Sequence, residues 1–200
     1  MADNLEIKAK LDSAQAKALM QKLSGPRMYQ ALSVAVNDSA RQVERKAESI
    51  VAKTLSIPLK RARLGIWIRP FSTPQTLTAV IKGSGSVIPL KAFKAKEDGD
   101  GVTAKIWGQT LHHPGAFIYG GPLGDHNRAL GMGGHVFHRP GKTWVQGKRG
   151  KIEKAKGAAI AEAMAQDAVS RANESYAVER LEANVLRQLD RYSRNRGGKS

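Results

Sequence analysis

All five histidines, His112, His113, His126, His135 and His138, fall in one stretch of the chain, and Asp125 stands beside His126. Imidazoles grouped with a carboxylate form the donor set of zinc or of a catalytic divalent ion. Against this, His135 and His138 on a strand would point to opposite faces, and glycines surround His126. Solvated loop histidines beside a basic surface are the simpler expectation. Three other motifs fail on spacing. Gly141-Lys142-Thr143 ends like a phosphate-binding loop, but the glycine required five residues earlier is Val136. Gly131, Gly133 and Gly134 lack the third glycine of a dinucleotide fingerprint. Asp98-Gly99-Asp100-Gly101 resembles part of a calcium loop without its downstream glutamate, and reads as a hairpin turn. The sequence therefore assigns no catalytic residue, no cofactor and no metal ligand. Without cysteine there is neither a disulfide framework nor a thiolate site.

What the chain has in surplus is positive charge. Its 33 Lys and Arg against 17 Asp and Glu leave a formal net charge of +16, which calls for a polyanionic neighbour. Two segments concentrate it. Lys60, Arg61 and Arg63 follow Pro58, and Lys148, Arg149, Lys151, Lys154 and Lys156 lie further on. Both are candidate interface residues, able to neutralise phosphates without reading sequence or to dock on acidic proteins. No nucleic-acid module is recognisable.

The elements that must carry these groups follow from periodicity. Leu5, Ile7, Ala9 and Leu11 alternate with polar residues, which predicts a half-buried first strand. Asp12 and Gln15 resemble a capping box opening a short helix that Gly25-Pro26 ends. Met28, Leu32, Val36, Ala40, Val43, Ala47 and Ile50 give one apolar stripe over a helix at 27–55, followed by a short basic helix. Strands are expected at 66–68, 77–82, 87–90, 93–96, 102–107, 116–119 and 135–138, with a Gly-rich excursion before the last. Helix returns after the second basic segment. The expected fold is α+β: an N-terminal strand and helices packed on an antiparallel sheet, with a long C-terminal amphipathic helix. The expected organisation is a core domain at 1–150, a C-terminal helical arm at 151–193 and a flexible basic tail at 194–200.

The arm carries Ile160, Met164, Ala168, Ala172 and Tyr176, continued by Val178, Leu181, Val185 and Leu189. About thirty-five helical residues span ~50 Å, whereas a compact globule of this length is ~40 Å across. Val178, Leu181, Val185 and Leu189 are thus expected to overhang their own domain and be covered by another subunit, unless the helix breaks at 173–175. No apolar run approaches the ~20 residues needed to span a bilayer, and the first ten residues lack a secretory signal. A membrane partner is not expected.

His113-Pro114-Gly115-Ala116-Phe117-Ile118, followed by His135-Val136-Phe137-His138-Arg139-Pro140-Gly141-Lys142, resembles the central signature of the minor tail protein Z family of long-tailed bacteriophages. The Ala-rich helix upstream, Pro58-Leu59-Lys60-Arg61-Ala62-Arg63-Leu64, and Val87-Ile88-Pro89-Leu90 are similar in order. The loop at 120–134 departs from the pattern in length and in its glycine and histidine content. The resemblance implies a non-enzymatic neck or tail-completion subunit. It would form a ring of its own copies in the virion, assembled in the host cytoplasm, between head–tail connector and tail terminator proteins, with non-specific contact with DNA. The alternatives are a basic DNA-binding accessory protein and a metal-dependent nuclease using the His112–His138 cluster, for which Asp125-His126-Asn127 is the one suggestive fragment.

Overall fold

A computed structural model of the chain describes residues 4–5, 25–119, 133–141, 144–145, 148–149 and 151–194. Gly25, at φ 68°, turns the chain into Pro26, whose missing N–H costs nothing at a first helical position. From there α1 (Pro26–Leu55) runs 30 residues, about 45 Å. It stops where Ser56 adopts a left-handed conformation and its N–H reaches the Lys53 carbonyl at 3.2 Å. Pro58 then precedes the five-residue α2 (Leu59–Arg63).

Thirteen short strands are described: β1 (Asn4–Leu5), β2 (Ile66–Ile68), β3 (Ile81–Gly83), β4 (Val87–Pro89), β5 (Lys96–Glu97), β6 (Gly101–Ile106), β7 (Gln109–Pro114), β8 (Phe117–Ile118), β9 (Val136–His138), β10 (Trp144–Val145), β11 (Lys148–Arg149), β12 (Glu153–Lys154) and β13 (Lys156–Ala159). They pair antiparallel into small sheets ordered β1-β3-β2, β4-β13, β5-β6-β7, β8-β9-β12 and β10-β11. Leu5 stands opposite Ile81, so the first strand does join the sheet at 66–83. The rest of that predicted strand, and the predicted helix at 12–25, lie outside the described residues. The chain ends in α3 (Ile160–Met164) and α4 (Asp167–Arg194). The α+β class expected from the pattern is the class observed, and no helix among the described residues is long and apolar enough to cross a membrane.

One core joins α1 to the sheets. Val43, Ala47, Val51 and Leu55 share it with Ile66, Ile68 and Ile81 of the first sheet, and with Phe93, Val102 and Val136. Phe93 closes a 3₁₀ turn, Leu90–Phe93, and is 0% exposed. Its ring edges up to Gly157 in β13, where any Cβ would overlap it. Glycine is required there by close approach.

A second, smaller core lies between α1 and α4. Ala31 and Ala35 pack against Val185 and Leu189, and small residues four apart let two helix backbones approach. The contacts run antiparallel. Asn184 donates to the Ser39 hydroxyl at 2.9 Å, Arg187 and Gln188 both donate to Asp38 at 3.0 and 2.9 Å, and the Lys46 ammonium sits 5.6 Å from the Tyr176 ring centre.

This corrects the expectation of an overhanging arm. Val185 is 3% exposed and Leu189 0% exposed, both covered by the chain's own α1, with Leu181 packed at their edge. The globule estimate assumed a sphere, whereas α1 is itself about as long as α4 and packs along it from Leu189 to Tyr176. Only Val178, 44% exposed, faces outward. The arm's start is corrected too, since 153–159 are strands and helix begins at Ile160. The helical break comes at 165–166; Asn173 lies inside α4, fully buried. That break rotates the stripe, leaving Ala168 and Ala172 exposed while Val169 and Ala177 face the core.

Candidate functional site

The histidines do not converge. His112, on β7, lies between the two carboxylates of the β5–β6 turn, with Nδ1 3.4 Å from Asp98 and Nε2 3.6 Å from Asp100. Its two nitrogens face opposite ways, so the three groups do not surround a point that an ion could fill. The turn itself is the expected hairpin: the Gly101 N–H donates to the Asp98 carboxylate at 3.0 Å, and Gly99 takes φ 85°. His113 follows on β7, His135 precedes β9, and His138 ends it opposite Glu153. Asp125 and His126 lie outside the described residues, as do Lys142 and Thr143. No group of three His, Asp or Glu side chains able to hold a metal occurs among the described residues.

Positive charge does converge. The Leu90 N–H donates to the Ala155 carbonyl at 3.1 Å, and the Ala155 N–H donates to the Val136 carbonyl at 2.9 Å. Three segments distant in sequence are thereby stitched side by side, and Lys91, Lys154 and His135 are the residues adjoining those bonded positions. Burial, then the charges of Lys154 and Arg61, hold the Lys91 ammonium below the ordinary lysine range. Among the described residues no carboxylate forms an ion pair with Arg61, Lys91 or Lys154. His135, only 7% exposed, has an Nδ1 that is buried without a partner among the described residues. Burial first, then Lys91 and Lys154, push its pKa down to about 4.

The predicted basic residues thus divide. Lys154 stands beside Lys91 through the Leu90–Ala155 bond, and Lys60 is exposed on α2. Arg63 is exposed, and its Nε lies 3.1 Å from the buried Glu48 carboxylate. Lys151 is exposed and 3.6 Å from Glu153, a pair worth little in solvent. Lys148 and Arg149 form β11 opposite Val145 and Trp144, and their side chains lie outside the described residues. Lys91 escaped the sequence reading because it stands alone between Leu90 and Ala92; only the backbone bonds around Ala155 bring it to Lys154. Arg139, in the segment carrying the family resemblance, caps an aromatic stack. Its guanidinium is 4.7 Å from the Phe117 ring centre, and Phe137 contacts both Phe117 and Tyr119.

The depressed histidine has a consequence for stability. Between about pH 6.5, its ordinary value, and about pH 4, the unfolded chain binds a proton at His135 that the folded chain refuses. The stabilising contribution is complete above that window and lost as pH falls through it. Thermal melts should show a decline of about 1–2 kcal/mol from this group, discounted for the solvated lysines. His135→Gln should flatten the slope; an unchanged slope would place the loss elsewhere.

No protein-family model, curated protein or solved structure matches the chain significantly.

Proposed function

We propose that the chain is a structural subunit of a tailed-bacteriophage particle, placed at the neck where head and tail join, and assembled there from cytoplasmic subunits into a ring. The observation that carries this reading is that the segments resembling the minor tail protein Z family are neighbours in space. β8 pairs with β9, with Phe117 opposite Phe137 and Ile118 opposite Val136. Residues 87–90 reach β9 through Ala155. The partners this implies are further copies of the chain and the connector and terminator proteins on either side.

With Val185 and Leu189 used inside the fold, the ring contact must come from another apolar surface. Leu59 is 41% exposed and Leu64 70% exposed, and they bracket the basic residues of α2. Leu59→Ser with Leu64→Ser should leave melting temperature unchanged within a few degrees and shift sedimentation toward the monomer. Gold-labelled antibody against the chain, applied to purified particles, should mark the head–tail joint. Label confined to the tail tip or the capsid shell would overturn the neck assignment.

A further inference from the structure

We infer that β7 is a self-pairing edge, through which two copies of the chain join antiparallel about Leu111 into one continuous sheet. β7 is an outer strand of the β5-β6-β7 sheet and, with β6, the longest strand described. Its residues are exposed apart from the half-buried His113. None is Lys, Arg, Asp or Glu, in a chain of which 25% is charged. Sheets ordinarily guard such an edge with charge, shortness, a bulge or an internal proline. The opposite edge is guarded in this way, since β5 is only Lys96 and Glu97.

The backbone sets which groups of β7 are free. Trp107 at φ 55° and Gly108 at φ 76° form a two-residue turn that places Ile106 opposite Gln109. In such a hairpin the flanking pair exchanges both backbone bonds, and the pattern alternates along the ladder. Gln109, Leu111 and His113 therefore direct their backbone groups to β6, while Thr110 and His112 turn theirs outward. Among the described residues nothing takes up those outward groups.

A second copy of the same strand fits them. With Leu111 opposite Leu111 of the second copy, Thr110 faces His112 of the second copy, and that pair exchanges both backbone bonds. Leu111 stands opposite Ala104, so it lies on the core side of the sheet, yet it is 40% exposed. The two-fold sets the two leucines against each other and covers both. Charge is complementary as well. On the other face Lys105 stands opposite Thr110, near the turn. Asp98 and Asp100 flank His112 towards the far end of the hairpin, 3.4 and 3.6 Å from its nitrogens. Antiparallel pairing sets Thr110 beside His112 of the second copy, so each Lys105 looks toward the carboxylates of the other copy. Lys96, on the same face, stands two strands behind His112. Parallel pairing would bring like ends together. The inference does not rest on the neck reading, because a two-fold contact closes on itself and uses neither Leu59 nor Leu64.

The chain has no cysteine, so one introduced thiol reports one contact. Opposed residues that exchange no backbone bonds stand about 4.5 Å apart at Cα, within the reach of a disulfide. Leu111→Cys in the full chain, treated with diamide, should therefore give a covalent dimer. Gln109→Cys, which meets His113 of the second copy, should cross-link about tenfold more slowly or less. Sedimentation equilibrium of the parent should show monomer and dimer exchanging in the micromolar range, since one strand pair is smaller than the ~1,200–2,000 Å² of tight interfaces. Leu111→Lys sets like charges face to face and should weaken the dimer about tenfold or more. Thr110→Pro, which removes an outward N–H and no bond to β6, should do the same. Both variants should melt within a few degrees of the parent; if either fails to fold, the cysteine comparison decides. A dimer unaffected by both variants, or equal cross-linking at 109 and 111, overturns the pairing. So does a parent that is monomeric at every concentration. If that monomer's Thr110 and His112 amides slow their hydrogen exchange only when purified tails are added, the edge belongs to a foreign strand and self-pairing is rejected.

Discussion

Leu181→Asp together with Val185→Asp should unfold the chain at ordinary temperature, with no soluble folded monomer left behind. Val185 is 3% exposed in the seam between α1 and α4, with Leu181 packed beside it. Losing the burial of one such side chain costs about 1.5–3 kcal/mol, and an unpaired carboxylate in the seam adds about 3–5 kcal/mol. Against a total stability of about 5–15 kcal/mol for a domain, the sum removes most or all of it. Ala31 and Ala35, facing the new charges, have nothing to offer them. Circular dichroism and denaturant titration would show the loss. A variant that kept its helicity and its cooperative transition would mean that α4 does not need α1.

Phe93→Ala should destabilise the protein by about 3–5 kcal/mol. Phe93 is fully buried where the 3₁₀ turn, β6 and β13 meet, and its ring rests on bare backbone at Gly157. On that side no side chain stands ready to fill the space. The reciprocal change is informative. Gly157→Ala alone should cost about 1–3 kcal/mol through overpacking, but in the Phe93→Ala background it should cost almost nothing, since the ring it strikes is gone. A double-mutant cycle with a coupling near zero would show that the two residues do not share the space.

The elements with a strong period were legible from sequence. The helix at 27–55 begins at Pro26 and ends at Leu55, because Gly25-Pro26 and Ser56-Ile57-Pro58 punctuate it. The hairpin at 98–101 follows from Asp and Gly at fixed positions. The misses have definite causes. β7, Gln109–Pro114, is exposed along almost its whole length, so it has no apolar alternation to betray it. Its turn depends on Trp107 at φ 55° and Gly108 at φ 76°, and tryptophan is not a residue that announces a left-handed turn. The predicted strand at 93–96 is displaced by the 3₁₀ turn and by Lys94 at φ 54°, and that at 77–82 keeps only its end because Leu77 sits at φ 48°. Along α1 the single stripe was incomplete: the helix is clasped on two sides, so Ala31, Ala35 and Ser39 are buried as well. In α4 the seam is half polar, with Asn173, Asn184 and Gln188 buried among the apolar residues, and a hydrophobic period cannot register such positions.

The candidate site was legible only in part, for a similar reason. Arg61 and Lys154 stand in runs of basic residues and draw attention as sequence. Lys91 does not, and the Arg63 that looks equivalent to Arg61 is paired with Glu48 while staying exposed. Two residues of offset on a short helix separate a cation paired with Glu48 from one that is not, and spacing alone does not tell which is which.

The neck assignment is tested most directly by head–tail joining. Particles produced without this chain should accumulate as DNA-filled heads and separate finished tails, and adding the purified protein should join them into infectious particles, counted by electron microscopy and by plaque formation. Joined, infectious particles in the complete absence of the chain would contradict the assignment.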